Sequence, residues 1–408
     1  MPRTFYPQKK QRPPSYEELL QPVDRLTPSI PPLLSRGDRP LKMEFTHQLK
    51  AMILFHLEEH TSGRHLLQFL EEDDFARSVI APPDGIKRSA FFEAINTRGL
   101  EQFFYVFKQL QAEATKVLPK KFDDLGELIA IDGSYITAVL SMHWADFSDD
   151  LRKAKTHLAF DINRSIPTAV VLTNGKVDER PYVKELLSPG QTGVMDRNYQ
   201  CYKDFDSWIA DGKHFVCRIR VNSKMTVLAS NPITDESCIF YDAMVLLGTH
   251  GVNQTKNKIR VIGYRVNGKE YWIASDLYSV PAARIAEIYK ARWSIEKFFG
   301  WWKRHLKVYH IIARSRHGLT VQILAGLITY LLLAIYCHNN HRETVSIKRV
   351  RELRIQMRNE LQRMQSAQMS TKIFKEQNRP GLGACRRNGI RSHFLLIWPH
   401  YGKNIQIL

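Results

Sequence analysis

The chain has 408 residues, 44% of them hydrophobic and 25% charged, the balance of a soluble globular protein of two or three domains with a sizeable core. Lys and Arg number 59 against 41 Asp and Glu, and the formal charge of +18 implies a polyanionic partner, most simply nucleic acid, although a merely basic enzyme would share it. The five cysteines form no C-x-x-C pair and are odd in number, which fits a reducing cytosol with unpaired thiols.

Residues 1–40 carry Pro13-Pro14 and Pro31-Pro32, little hydrophobic periodicity and no apolar segment of secretory type. They are read as a Pro-rich extended arm. Residues 41–118 are expected to be helical, because FTHQLKAMILFHLEEH and LEQFFYVFKQLQAEATKVL place apolar residues at three- and four-residue spacing. Between them, GIKRSAFFEAINTRG is a short basic helix bounded by Gly85 and Gly99. A helix-turn-helix DNA reader and an ordinary helical bundle fit this region equally well. His56-Leu57-Glu58-Glu59-His60 matches the H-x-x-E-H pattern of some zinc proteases. No third ligand follows, so surface His and Glu on an amphipathic helix are the better reading.

From Leu125 the texture changes. LGELIAIDGSYITAV, HLAFDI, PTAVVLTNG, GVMDRNY and HFVCRIRV are short β-branched runs, with PYVKELL and YKDFDSWIADG as helices among them. The order predicts a mixed α/β sheet with early hairpins. Between about residues 222 and 276 the pattern is strands only, read as a β-rich insertion. A helix is then expected from Pro281 to about His305, with proline at its tolerant first position. Leu319 to Cys337 is apolar enough to span a bilayer, but it contains Gln322 and has no second span to pair with. A buried helix is expected, and no membrane contact. In the basic region 341–408, Arg342 to Lys403 holds 14 Lys and Arg against 4 acids. Its segment IKRVRELRIQMRNELQRM predicts an amphipathic helix with Ile347, Val350, Leu353, Met357 and Leu361 as the apolar stripe. That stripe suggests packing, and the basic face suggests DNA.

Three acids stand out by position. Asp132 ends the apolar run ELIAID and Asp196 ends GVMD, so each is placed at a sheet edge where open α/β folds bind ligands. Each alone could simply begin a turn. On the helix IAEIYKARWSIEKFFGWWKRHL, Tyr289, Arg292, Glu296 and Lys303 fall within about 60° of arc, opposite the apolar Ile295, Phe298, Phe299, Trp302 and Leu306. That stripe is rich in donors and holds one carboxylate. Three carboxylates at a sheet edge suit a pair of hard divalent cations acting on a phosphodiester.

These residues resemble the DDE-class insertion-sequence transposases, in particular the subgroup with a Tyr-(2)-Arg-(3)-Glu-(6)-Lys signature, matched by Tyr289, Arg292, Glu296 and Lys303. Ile131-Asp132-Gly133-Ser134 fits the family's first acid. Asp196-Arg197-Asn198-Tyr199 fits the second, with Asn where Gly is usual, a residue that tolerates the left-handed conformation. The resemblance covers about Leu125 to Tyr336. It implies a ribonuclease-H-like catalytic domain over about 125–340, with Asp132, Asp196 and Glu296 as catalytic metal ligands. It implies two Mg2+ ions (or Mn2+ in their place), and Tyr289, Arg292, Lys303, Arg197 and Tyr199 as DNA contacts. The implied partners are double-stranded DNA, as transposon ends and target, and a second copy of the chain in a synaptic homodimer. The implied setting is the bacterial cytoplasm, at the nucleoid. A non-catalytic DNA-binding derivative and a ribonuclease-H-like structure-specific nuclease remain alternatives. The intact triad weighs against the first, and the basic tail with the full signature against the second.

Overall fold

The computed structural model describes residues 13–33, 41–233 and 238–377. The helical part begins earlier than the sequence suggested. Helix α1 (Pro14–Leu26) buries Tyr16, Leu19, Leu20 and Val23, a stripe at three- and four-residue spacing. The described part of the expected arm is thus corrected to a docked helix. Pro14 sits in the first turn, where its missing N–H costs nothing, and the burial outweighs the backbone bond lost at Pro22. Residues 1–12 and 34–40 of that arm lie outside the described residues.

Helices α2 (Phe45–Leu57), α3 (Gly63–Glu72), α4 (Arg88–Thr97) and α5 (Leu100–Val117) follow. Their starts are legible: Glu44 and His47 form a reciprocal cap on α2, and Ser62 accepts the His65 N–H at α3. Gly99, at φ +82°, makes the turn into α5 that a side chain would strain.

Ten strands form one sheet among the described residues: β1 (Leu128–Ala138), β2 (Asp146–Ser148), β3 (Leu151–Asp161), β4 (Ile166–Asn174), β5 (Thr192–Met195), β6 (His214–Ile219), β7 (Met225–Ser230), β8 (Ile239–Leu247), β9 (Ile259–Val266) and β10 (Lys269–Ser275). The order is β4-β3-β1-β5-β6-β10-β9-β8-β7, with β2 also on β3. The first three long strands form an antiparallel meander, while β1, β5 and β6 run parallel. The short helices α6 (Val183–Leu186) and α7 (Tyr202–Ala210) lie in the crossovers between the parallel strands. This is the mixed ribonuclease-H-like sheet expected. The strands of the expected insertion add to it: β10 pairs with β6, and β9, β8 and β7 extend the same sheet.

Strand alternation splits the core in two. Leu128 and Ala130 face one apolar cluster, whereas Ile129 and Ile131 face another containing Phe205, Trp208 and Phe215. The first cluster is closed by α8 (Ala282–Ala291), α9 (Trp293–His305) and α10 (Arg316–His341). Helix α10 is buried from Gly318 to Cys337 and packs against α1, α2, α4 and α5. Its most apolar stretch is 94% buried inside the protein, so the expectation of a buried helix holds. Its Gln322 is satisfied: Oε1 accepts the Ile312 N–H at 3.0 Å, and Nε2 donates to the His310 carbonyl at 2.8 Å.

The H-x-x-E-H segment has a different role from the surface one expected. His56 is fully buried and lies between the carbonyls of Leu306, at 2.5 Å, and Gln322, at 3.1 Å. A neutral imidazole can donate to only one of them, yet burial outweighs both carbonyls and pushes His56 down to about 4. Glu59 and Glu58 meet Arg354 at 2.7 Å and Arg358 at 3.1 Å on α11 (Ile347–Gln377). Contacts divide the chain after Leu361. Up to there, α11 belongs to the body and buries Val350, Leu353 and Met357 as the apolar stripe predicted; Ile347 stays exposed. The basic region from residue 378 onward lies outside the described residues.

Candidate active site

In the parallel pair β1–β5, Leu128 lies opposite Thr192, Ile129 opposite Gly193 and Ala130 opposite Val194. Continuing that register by two residues sets Asp132 level with Asp196, where neighbouring strands run about 4.8 Å apart. The chain leaves the sheet at Asp196, whose carboxylate accepts the Asn198 N–H at 2.9 Å and caps the turn Arg197–Tyr199. Asp132 stays within β1, which continues in its hairpin with β3 beyond the end suggested by ELIAID. Its Oδ1 accepts the Gly133 N–H at 2.8 Å. Burial pushes the Asp132 carboxyl up to about 7; Arg292 opposes this, and the charges of Asp196 and Glu179 add to it.

The helix expected from Pro281 to His305 is divided into α8 and α9 at Arg292. There the Arg292 N–H donates to Tyr289 O and the Ile295 N–H donates to Arg292 O, two three-residue steps that tighten one turn. The Arg292 guanidinium stands between two acids of the triad, with Nη1 3.7 Å from Asp132 Oδ2 and Nη2 bonded to Glu296 Oε1. The fold therefore sets Asp132 and Asp196 level on neighbouring strands and links Glu296 to Asp132 through Arg292. Among the described residues, no three His, Cys, Asp or Glu side chains are close enough to hold a metal ion together.

The donor chemistry nevertheless fits a hard divalent cation. Asp132 and Asp196 offer only oxygen, and the raised Asp132 carboxyl marks a buried acid short of positive charge. For Glu296 to join them, Arg292 must release it.

The five residues expected on DNA are placed unequally. Arg197 is exposed. Tyr199 is buried, its hydroxyl without a hydrogen-bond partner, because the turn after Asp196 folds its ring back over the sheet. Burial and the nearby Glu179, Asp132 and Asp196 hold that phenol well above its usual range. Tyr289 is also inside, its ring against the Arg292 guanidinium and the Tyr271 ring. Lys303 donates from Nζ to the Tyr135 carbonyl at 2.6 Å and so ties α9 to β1. Arg292 is turned to the acids. Of these five, Arg197 is the one fully exposed side chain, and Arg292 and Lys303 are half-buried.

A second ion pair beside the acids was not anticipated from the sequence. Lys155 Nζ on β3 lies 2.7 Å from Glu179 Oε2, with both side chains almost out of solvent. Both cover Gly133, where a Cβ would come within 2.7 Å of Glu179 and 2.8 Å of Lys155. A larger residue next to Asp132 would therefore displace the ends of these two side chains. A Lys in an otherwise buried strand was the one available signal, but nothing in the sequence named its partner.

Residues 124–332, just over half of the chain, match the family model described as "Transposase DDE domain". The chain is 27% identical over 231 residues to a protein named as a transposase for insertion sequence element IS5377 from Geobacillus stearothermophilus, covering 54% of this chain and 59% of that one. It is 28% identical over 217 residues to a protein named as transposase y4zB from Sinorhizobium fredii, covering 52% and 60%. A third similarity, 25% over 280 residues, is to a protein named as a transposase for insertion sequence element IS4SA from Synechocystis, covering 65% and 76%. The chain thus spans about three fifths of the length of the first two relatives. With its sheet, its paired aspartates and this match, the chain belongs to the insertion-sequence transposases of the DDE type.

Proposed function

We propose that the protein cuts phosphodiester bonds at transposon ends and joins the freed 3′ hydroxyl to target DNA, with Asp132, Asp196 and Glu296 as its catalytic carboxylates. The observation that supports this best is the register of the parallel strands β1 and β5, which sets Asp132 level with Asp196 where their pairing ends, with Glu296 one arginine from Asp132. The three carboxylates would hold two Mg2+ ions, or Mn2+ in their place. Such ions supply activation of the attacking oxygen and stabilisation of the leaving one. Asp132 and Asp196, fixed by local backbone N–H groups, keep their oxygens in one place. In the free protein Arg292 is bonded to Glu296 and lies close enough to Asp132 to offset part of its charge. A DNA phosphate would compete for that guanidinium and free Glu296. The partners in this reading are double-stranded DNA and a second copy of the chain in the synaptic complex.

A supercoiled-plasmid nicking assay in Mg2+, with and without terminal inverted repeats, tests the reading. Nicking that depends on both the repeats and Mg2+ is expected. Glu296→Gln keeps shape and most hydrogen-bonding capacity, so it should abolish cleavage and strand transfer while end binding persists. Arg292→Ala should weaken binding by roughly 1–3 kcal/mol and leave residual chemistry at saturating DNA. A Glu296→Gln protein fully active in Mg2+ removes Glu296 from the chemistry and ends this assignment.

A further inference from the structure

Of the residues expected to hold DNA, Tyr199 and Tyr289 are buried and Arg292 and Lys303 are engaged by protein groups, whereas exposed cations gather beyond the turn that follows Asp196. Two adjoining hollows, of about 540 and 240 Å³, share Gln200, Tyr202, Arg220 and Asn253. They begin where the turn after Asp196 ends, four residues along the chain from that carboxylate. Together they form one groove between α7, the β6–β7 connection and the loop from Gly248 to Thr255.

The groove is built on fixed polar structure. Gln200 holds its floor: Oε1 accepts the Arg220 N–H at 2.9 Å, and Nε2 donates to Ser223 Oγ at 2.9 Å and Tyr202 Oη at 3.1 Å. The far wall turns at Gly248, φ +104°, where a Cβ would come within 2.5 Å of the Asn253 carbonyl. Asn253 Oδ1 accepts the Thr249 N–H at 2.9 Å, and Gln254 Nε2 reaches Thr226 Oγ1 at 3.1 Å.

Its charge is mainly positive. Lys203, Arg220, Lys224 and Lys256 line it, are exposed, and form no ion pair among the described residues. Elsewhere, surface cations commonly have acids: Arg25 with Glu113, Arg349 with Glu343, and Arg180 at the groove's own edge with Asp178. The acid that lines the groove, Asp206, is engaged by backbone, its oxygens accepting the Lys256 and Asn257 N–H groups at 2.9 Å. Four cations against one carboxylate leave the polar, preformed groove with a net positive charge that complements a phosphodiester backbone, which loses condensed counterions when bound.

We propose that this groove holds the DNA backbone flanking the cut, and that Lys203, Arg220, Lys224 and Lys256 contact its phosphates. The proposal rests on the reading of the chain as a DNA-cutting transposase and says where the duplex leaves its acids. Phosphate contacts carry no sequence information, so a short random-sequence duplex is the appropriate probe.

Binding of that duplex is measured by fluorescence anisotropy over a range of NaCl concentrations, for the full chain and for Arg220→Ala/Lys256→Ala. Loss of two phosphate contacts should lower the slope of log K against log salt by about 1.8, and weaken binding roughly tenfold or more at moderate salt. Lys116→Ala/Lys120→Ala, exposed cations elsewhere on the chain, should leave the slope within about half a unit. In a second measurement, bound duplex should protect Lys203, Lys224 and Lys256 from acetylation, read by mass spectrometry, while Lys116 and Lys120 stay reactive. A groove variant with the wild-type slope, an equal fall in the Lys116/Lys120 control, or unprotected groove lysines overturns the proposal and leaves the assignment of the acids intact. A wild-type chain that binds no duplex at any salt overturns both. Should the double variant fold poorly, the lysine protection of the unmodified chain decides alone.

Discussion

The acidic pair at the centre of the sheet carries a cost that chemistry would recover. Burial raises the Asp132 carboxyl to about 7, from an ordinary 3.8. A raised acid adds stability fully below pH 3.8 and loses it as pH rises through 7, because the folded state holds the proton and the unfolded state does not. The difference of about three units is worth up to about 4 kcal/mol, and Asn forfeits the attraction of Arg292, so a gain of roughly 1–3 kcal/mol is the expectation for Asp132→Asn at pH 8. Urea unfolding in the presence of a chelator measures it. Equal stability of the two proteins at pH 8 would mean that Arg292 already compensates the charge in full. His56 works in the opposite direction. Its folded value of about 4 lies below the unfolded 6.5, so its contribution is complete above pH 6.5 and is lost as pH falls through 4. His60 and His157 are likewise lowered to about 4, mainly by burial. At up to roughly 3 kcal/mol each, three histidines outweigh one aspartate, so net stability should fall from pH 6.5 to pH 4. In His56→Gln that fall should be shallower over the same window, read from urea midpoints at successive pH values.

At the scale of elements, the sequence was most informative where periodicity and chemistry agreed. The strands that bear Asp132 and Asp196, the helix that bears Glu296 and the stripe on α11 are all present. The break at Arg292 was not legible, because αR backbone continues through it and two three-residue hydrogen bonds mark the place where the guanidinium meets Asp132 and Glu296. Helix α1 was misread because proline density resembles an extended arm, whereas Tyr16, Leu19, Leu20 and Val23 gain a helix only by docking. For α11, the apolar stripe indicated packing and the cations indicated DNA. Up to Leu361 the packing is observed, and two of its arginines, Arg354 and Arg358, are engaged by Glu59 and Glu58. Truncation from Ser346 should therefore destabilise the fold, since it removes Val350, Leu353 and Met357 from the core, and Leu353→Ala alone should cost about 2–4 kcal/mol. Truncation after Leu361 should leave the thermal midpoint unchanged. Calorimetry of the two truncations checks the contrast; equal midpoints would show that the α11 stripe contributes nothing to the body.

At the scale of the whole molecule, the helical segment before the sheet shares one of the two apolar clusters with one face of the sheet and the helices that follow it. Phe55, Phe91, Phe103 and Phe107 belong to the same apolar cluster as Trp302, Leu324 and Leu331. Helix α10 is the common support, touching four of the preceding helices. A fragment ending near Leu118 should for that reason be unfolded by circular dichroism, lacking the surface that buries its apolar faces. A cooperatively melting fragment would restore an independent N-terminal domain. What the sequence determined by itself was set by short-range rules: alternation fixed the strands, three- and four-residue spacing fixed the helices, and the spacing of Tyr289, Arg292, Glu296 and Lys303 carried the resemblance. Tertiary structure decided which of those side chains meet solvent. Lys303 is spent on a β1 carbonyl and Tyr199 and Tyr289 are folded inward. Glu179 finds Lys155 across 24 residues, and the exposed cations gather around a groove drawn from three separate segments. Helical and strand periods say which face a residue occupies. What packs on that face depends on contacts between residues far apart in the chain, and no local pattern encodes them.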